Sequence, residues 1–393
     1  MILDKIFPPD PRVENEATAL IHAGHQVFLF CLKYDDALAS ENINGISVKR
    51  YASNKLEYKL SALAFTLPFY SHLMAKKIHN FVSDNDIEAI HIHDMVIADA
   101  VFKSNKKWKL PVVLDLHENR PEIMKLYPHL QKFPGKQLIS VNKWKRKEED
   151  FIKSADKVIV VTKEAKKEIE TRIDLNDDKI KIVPNSVKKS FYSEVVLNEQ
   201  ITDKYKDKFV ILYLGDTGLR RGLLTAIEAV AELKFKIKNL KLVVVGTNST
   251  DGVLKKKSVD LGVEKYVDFE GWKDVSLFPS YIRACDIGIS PLHKNKHHDT
   301  TFANKIFQYM SFAKPVLVSD AIAQKNLVES TQSGLVHQEK NTANFAEKVL
   351  ELYDNPKLRN DLGENGRKFI EDEFVWEKVS QNLVDIYDTF DQH

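Results

Sequence analysis

A chain of 393 residues has room for two domains of ordinary size, each able to bury a core of its own. Its 43% hydrophobic and 29% charged residues and mean hydropathy of −0.32 are globular values, and 58 basic against 56 acidic side chains leave a net charge of only +2, which speaks against a nucleic-acid partner. No run approaches the roughly eighteen apolar residues of a membrane span and no leader-like segment opens the chain, so the expectation is a cytoplasmic protein whose two cysteines, Cys31 and Cys285, are buried reduced thiols.

The chain opens in a strand, Ile2-Leu3-Asp4, then turns through Pro8, Pro9 and Pro11 into a helix over 13–23 whose Ala17, Leu20 and Ile21 share a face. Three residues is short for the central strand that usually opens such a half, which leaves open that residues precede Met1. Gly24 ends the helix, and Val27-Phe28-Leu29-Phe30 follows as a buried strand. Arg12 is the anion-binding candidate of this loop, with helix capping or a surface ion pair as the plainer alternative. Residues 57–81 read as one long helix that Pro68 kinks or restarts. Its apolar side chains, among them Phe65, Leu67, Phe69, Leu73 and Met74, fit core packing. With the basic clusters at 106–109 and 143–147 they also fit a peripheral contact with a membrane face.

Two strands then end in polar residues, Ile90-His91-Ile92-His93-Asp94 and Val112 to Leu116 with His117-Glu118, at the carboxyl edge where open α/β sheets place ligands. The grouping raises the question of a metal site. His91 and His93 share one face of their strand while Asp94 points away, so no metal is expected. A helix over 144–154 leads to the strand at 157–162, and Thr162 is the N-cap of the next helix. Residues 180–187 form a further strand and turn, and the polar stretch 188–208 reads as a linker.

A second α/β run starts at 209–215 and continues through Asp216-Thr217-Gly218-Leu219-Arg220-Arg221-Gly222 into a helix over 223–234. Strands follow at 242–246, 266–272 and 286–291. The segment from His297 to Asp320 reads as a loop, a helix over 302–312 and a strand over 315–318. Lys305 in the first turn of that helix opposes the helix dipole unless an anion is near, as do Arg220 and Arg221 at theirs; both point to a phosphorylated ligand. A short strand over 334–336 precedes helices over 343–353, 357–371 and 376–387.

These motifs resemble the retaining glycosyltransferases of family 4. Asn304, Lys305, Phe307, Tyr309, Met310 and Pro315 match the donor-sugar motif in its variant Asn-Lys-x-Phe-Glu-Tyr-Met, with Ala313 in place of the usual Gly. Thr300 and Gln308 stand where the family has two glutamates. Residues 215–222 resemble the Gly-Arg-(four residues)-Lys-Gly loop, with Arg221 at the Lys position and Asp216 where the Arg would be. Val267 to Gly271 resembles the turn against the nucleotide base, Leu116 to Glu118 lies in the Asp-x-His-Glu turn, and Pro184-Asn185 in the Pro-Asn-x-Val crossing.

The resemblance implies a GT-B fold: two Rossmann-like, doubly wound parallel-sheet α/β domains facing across a cleft, with the C-terminal helix crossing back to the first. The domains fall at 1–190, joined by 373–393, for the acceptor, and at 191–372 for the nucleotide-sugar donor. It implies transfer, with retention, of a sugar from a nucleoside diphosphate donor, UDP being the commonest carrier, to a glycan or lipid-linked acceptor in surface polysaccharide or glycolipid assembly. By the same resemblance His117, Arg221 and Lys305 are catalytic. Gly215, Arg220, Gly246, Gly271, Trp272, Thr300, Thr301, Phe302, Ala303, Asn304 and Gln308 hold the donor, and Arg12, Asp94 and Glu118 meet the acceptor. No cofactor or metal is implied. The loss of both glutamates motivates an alternative, a nucleotide-sugar-binding partner subunit that no longer catalyses transfer; a sugar-nucleotide epimerase is a third reading.

Overall fold

The computed structural model describes residues 1–127, 130–133 and 135–390. The chain divides into two compact units, Met1–Pro184 with the residues from Val379 onward, and Asn185–Lys378. The expected borders at 190 and 372 each lie six residues from the observed ones at 184 and 378. Of the return segment expected over 373–393, residues 391–393 lie outside the described residues.

The N-terminal unit is built on β1 (Ile2–Leu3), β2 (Phe28–Lys33), β3 (Ser40–Ile43), β4 (Ile46–Ala52), β5 (Ile90–His93), β6 (Val112–Leu116), β7 (Lys157–Val160) and β8 (Ile180–Ile182). They lie in the order β3-β4-β2-β1-β5-β6-β7-β8, and β3 alone runs antiparallel to its neighbour. β1, though only two residues long, sits between β2 and β5, where the direction of winding reverses. The helix Pro11–His22 starts two residues earlier than expected because Asp10 accepts from the Val13 amide and Pro11 takes the first turn, where no N–H is needed.

Pro68 does restart a helix. The single helix expected over 57–81 is two, Lys55–Ser61, whose N-cap Asn54 accepts from the Leu56 and Glu57 amides, and Phe69–Ser83. The second buries Tyr70, Met74, Ile78 and Phe81 while Phe69 stays 64% exposed, so core packing accounts for only one face of this region. Thr162 caps its helix, Lys163–Glu170, as expected. The last helix, Gln381–Asp388, packs Leu383 and Ile386 into the N-terminal unit, and the Tyr387 hydroxyl lies 2.8 Å from His91 Nδ1.

The C-terminal unit carries β9 (Phe209–Leu214), β10 (Leu240–Val245), β11 (Val267–Gly271), β12 (Ile287–Ser290), β13 (Val316–Ser319) and β14 (Gly334–His337), all parallel, in the order β11-β10-β9-β12-β13-β14. This is the doubly wound arrangement of a Rossmann domain, reversing between β9 and β12. Every residue of β9 is buried: Phe209, Ile211 and Tyr213 enter one core layer, Val210, Leu212 and Leu214 the other. Such a strand reads as a continuous apolar run because helices cover both faces.

The stretch 188–208 is not an irregular linker. It forms the short helices Ser190–Ser193 and Glu199–Tyr205, the latter capped by Asn198, and Tyr205 is buried with its hydroxyl donating to Glu270 at 2.8 Å. The helix expected over 302–312 contracts to Lys305–Met310, and the chain leaves it through Ala313 in the left-handed region at φ +54, a conformation that suits glycine. Cys31 and Cys285 are both buried and free.

Tyr309 ties this helix to the sheet: its hydroxyl donates to the Leu212 carbonyl and accepts from the Leu214 amide, each at 3.0 Å. Tyr309→Phe would strip two buried backbone groups of their partner. It is expected to destabilise the C-terminal unit by about 1–3 kcal/mol in urea unfolding; an unchanged midpoint would show that this hydroxyl does not hold the strand end.

Candidate functional site

Ligands of open parallel sheets gather outside the carboxyl ends of the strands, at the point of reversal. In the C-terminal unit that point lies between the exits of β9 and β12. β9 leaves through Gly215 at φ +102 and β10 through Gly246 at φ +137, and a Cβ on Gly246 would stand 1.9 Å from the Gly215 carbonyl oxygen. Only glycine permits that approach. The Gly246 amide in turn donates to the Gly271 carbonyl at 2.7 Å, linking the exits of β10 and β11. Gly222, at φ +78, lets the turn Leu219–Arg221 lie against the Pro291 carbonyl at the exit of β12.

Lys305 reaches into this edge from the helix Lys305–Met310. Its ammonium lies 3.5 Å from the centre of the Tyr213 ring and 3.7 Å from where a Cβ of Gly215 would be. The residue is buried, and among the described residues no carboxylate lies within ion-pair distance of it. Burial first, then the positive charge of Arg221, pushes its proton affinity well down, with Asp216 acting in the other direction. The ring face offers some compensation, on the order of 2 kcal/mol for a desolvated cation. Arg221 Nε donates to Asp216 Oδ2 at 3.0 Å, and Arg220 Nη2 lies 3.6 Å from the same oxygen. Asp216 is therefore no substitute for the arginine of the family loop: it is the group that aims the two arginines beside it. Asn248 donates to its other oxygen at 2.7 Å.

The remaining donor candidates are distributed around this edge. Thr300 is buried, and its hydroxyl donates to the backbone carbonyls of Lys296 and His297. Thr301 does the same to His297 at 2.8 Å. Phe302 packs edge-on against Phe307, Ala303 is buried, Asn304 is exposed and Gln308 half-buried. Trp272, just past Gly271, is 72% exposed, a large apolar ring left facing solvent.

Sequence reasoning missed His298. It is buried, its Nδ1 lies 2.6 Å from the His293 carbonyl, and its Nε2 faces Arg220 Nη1 at 3.5 Å. Donation from Nδ1 leaves Nε2 as the acceptor, so neutral His298 holds the guanidinium. No pattern in the sequence announces this, because Arg220 and His298 lie 78 residues apart.

In the N-terminal unit the same edge carries a buried cluster. Arg12 was expected to face an acceptor. Instead it points inward and forms a fork on Asp115 at 2.7 and 2.8 Å, reaches Glu16 at 2.9 Å and donates to the Val183 carbonyl at 3.2 Å. A guanidinium matched by two buried carboxylates has no reason to leave them. His117 Nε2 lies 2.8 Å from Asp115 Oδ2, and His93 Nδ1 is 3.2 Å from the same His117 nitrogen. Burial opposes a charged His117, but the Asp115 carboxylate outweighs it and raises the imidazole's pKa. Asp115 stays well below the usual carboxylate range through Arg12 and His117 despite burial, whereas burial pushes Glu16 up to about 8.

Ligating atoms of Glu16, His91, His93 and Asp115 lie within 4.8 Å of one another, a group of the kind that holds metals, but Arg12 already supplies a positive charge to both carboxylates. Asp94 and Glu118 stand apart from it. Asp94, in the left-handed region at φ +69, caps the Met95 amide at 2.7 Å, and Arg120 bridges it at 3.8 Å to Glu118 at 3.2 Å.

Comparison with known proteins gives the context. Residues 197–369 match the family described as Glycosyl transferases group 1, and residues 12–191 match Glycosyltransferase Family 4. The chain is similar, at 24% identity over 79% of its length and 77% of the relative's, to an uncharacterized glycosyltransferase, MJ1178, of Methanocaldococcus jannaschii. It is also 24% identical, over 49% of its length and 50% of the relative's, to the capsular polysaccharide biosynthesis glycosyltransferase CapM of Staphylococcus aureus. Among solved structures it resembles Anabaena HepE in complex with UDP, with a TM-score of 0.72, 14% identity and coverage of 99% of both chains.

The buried imidazoles of the C-terminal unit imply a pH dependence. His297, His298 and His337 are pushed down from 6.5 to about 3, 4 and 4, chiefly by burial, and His293 is lowered for the same reason. Unfolding frees them to bind protons near 6.5, so their contribution to stability is intact above that value and lost as the pH falls toward 4. The unfolding midpoint of this unit is expected to drop between about pH 7 and about pH 5; a midpoint that holds or rises would contradict the sign.

Proposed function

Since the chain belongs to the group 1 glycosyltransferases, with the GT-B fold, we propose that it moves a sugar from a nucleoside diphosphate carrier, UDP, to a hydroxyl of a glycan or lipid-linked acceptor during polysaccharide or glycolipid assembly, with retention at the anomeric carbon. One observation carries the reading: Lys305 is buried without a carboxylate partner beside Arg221, at the carboxyl edge of the C-terminal sheet. A cation held there calls for an anion, and a diphosphate supplies it. HepE, a protein of similar fold, has been solved with UDP.

The chemistry follows from charge. The bond from the anomeric carbon to the β-phosphate oxygen breaks, the carbon gains oxocarbenium character and the diphosphate gains negative charge. Arg221 and Lys305 lower the energy of that charge through fixed positive groups in a partly water-excluded site, without need of a metal ion. The acceptor oxygen bonds to the carbon on the face the diphosphate leaves, and its proton passes to the departing phosphate oxygen. Arg220, steadied by His298 and Asp216, adds to the clamp. Gln308 hydrogen-bonds the ribose, Thr300 lies beside the sugar, and Trp272 with the backbone at Gly271 meets the base. His117 hydrogen-bonds a hydroxyl of the transferred sugar, and Asp115 fixes its tautomer by taking the proton of Nε2, which leaves Nδ1 as the acceptor when the ring is neutral.

Arg221→Ala is expected to weaken UDP binding by about 1.5–3 kcal/mol in calorimetry, the worth of a charge-assisted contact; equal affinity would reject the clamp. His117→Ala should reduce turnover far more than donor affinity, and a variant as fast as the parent would remove His117 from the reaction. UDP binding without transfer or donor hydrolysis would favour the binding-only alternative, which the committed hydroxyl of Thr300 supports.

A further inference from the structure

The N-terminal unit contains a cavity of about 550 Å³ that no motif pointed to. Its lining comes from the carboxyl ends of the strands: Asp4 and Lys5 follow β1, Tyr34 follows β2, Val96 follows β5 and Arg120 follows β6. β1 lies between β2 and β5, so the cavity sits at the point of reversal of this sheet, where the topology of an open parallel sheet makes room for a ligand.

Its walls are mostly carbon. The rings of Tyr34, Tyr58, Tyr70, Tyr127 and Trp144 surround it, with aliphatic side chains such as Leu32 and Ile139 between them. Polar groups of the lining are nevertheless left without partners. Asp4 Oδ1, Arg120 Nε and Trp144 Nε1 are buried and make no hydrogen bond, and Trp144 is only 3% exposed. Each such group costs on the order of 1–3 kcal/mol unless something satisfies it. Two donors and one acceptor at a mainly apolar cavity suit a molecule with a hydroxylated end and a long apolar remainder. The outer lip is Tyr58, 68% exposed, with Lys59, Ser61 and Ala62 at the end of the helix Lys55–Ser61. The apolar surface thus continues past the mouth, so a chain longer than the cavity has somewhere to lie.

We infer that this cavity is the acceptor subsite, and that the acceptor is an amphiphile, a sugar carried on an alkyl or prenyl chain, not a bare glycan. Asp4, Arg120 and Trp144 hydrogen-bond its hydroxylated end, and the tyrosine-lined wall takes the chain. This rests on the transferase reading above and narrows it to one class of acceptor.

The test uses the full chain and two probes, decyl β-glucoside below its micelle concentration and free glucose, with binding followed by tryptophan fluorescence and calorimetry. Decyl glucoside should bind and alter the emission in a way that Trp144→Phe abolishes; glucose should bind at least about tenfold more weakly, the ratio that a few buried methylenes provide. Ala62→Trp, on an exposed residue at the lip, should weaken decyl glucoside binding by at least about tenfold while UDP affinity stays unchanged. Tyr58→Ala is the second variant, expected to weaken the alkyl probe and not UDP. Equal affinity for the two probes, or alkyl binding that neither lip variant weakens, would overturn the inference. UDP binding with no decyl glucoside binding sinks the subsite alone; absence of UDP binding sinks the donor reading and leaves the alkyl result to stand by itself.

Discussion

A positive charge kept out of water with no carboxylate to answer it is the feature on which the C-terminal unit turns. Lys305 is buried, lies against the face of Tyr213 and has Arg221 as an electrostatic neighbour that makes its own charge harder to hold. Desolvating an ammonium is costly, and an aromatic face recovers only part of the loss. The structure around it is correspondingly fixed. Tyr309 pins the helix that bears Lys305 to the end of β9, and glycines at 215 and 246 bring the strand exits into backbone contact. An edge built in this way is prepared for an anion before the anion arrives, which is how electrostatic preorganisation acts in transfer chemistry.

The N-terminal unit treats charge in the opposite manner. There Arg12 is saturated by Asp115 and Glu16, and the surrounding histidines are either neutral or, like His117, charged only through Asp115. Removing one member of such a buried set leaves the others uncompensated, at a cost of several kcal/mol, so the cluster fixes geometry more than it adds stability. What it holds in place is His117, whose tautomer follows from its bond to Asp115. Glu16 lies one helical turn from Arg12, and Asp115 lies on β6, so the set also joins the helix Pro11–His22 to the sheet.

Thr300 and Asp216 show how a changed motif can keep its architecture. Thr300 stands where the family has a glutamate, yet its hydroxyl closes the short helix Lys296–Asp299 through the carbonyls of Lys296 and His297. Asp216 stands where the family has an arginine, and it draws Arg221 and Arg220 into one direction. The positive charge of the loop has moved along the chain, and an acid has taken over its positioning.

Much of the architecture was legible in the residues themselves. Buried parallel strands declare themselves as apolar runs such as Phe209 to Leu214, helix starts as caps such as Thr162, and breaks as prolines such as Pro68, because these signals act over a few neighbouring residues. The order of strands, the glycine-bearing exits of β9, β10 and β11 and the candidates Arg221 and Lys305 could likewise be anticipated from local pattern and family resemblance. Only the tertiary structure decided which charges meet. Arg12 turns inward to Asp115, 103 residues away, His298 reaches Arg220 across 78, and the cavity at the end of β1 is assembled from residues between Asp4 and Trp144. Burial and ion pairing are settled by what the fold brings alongside, and a linear sequence carries no term for that distance.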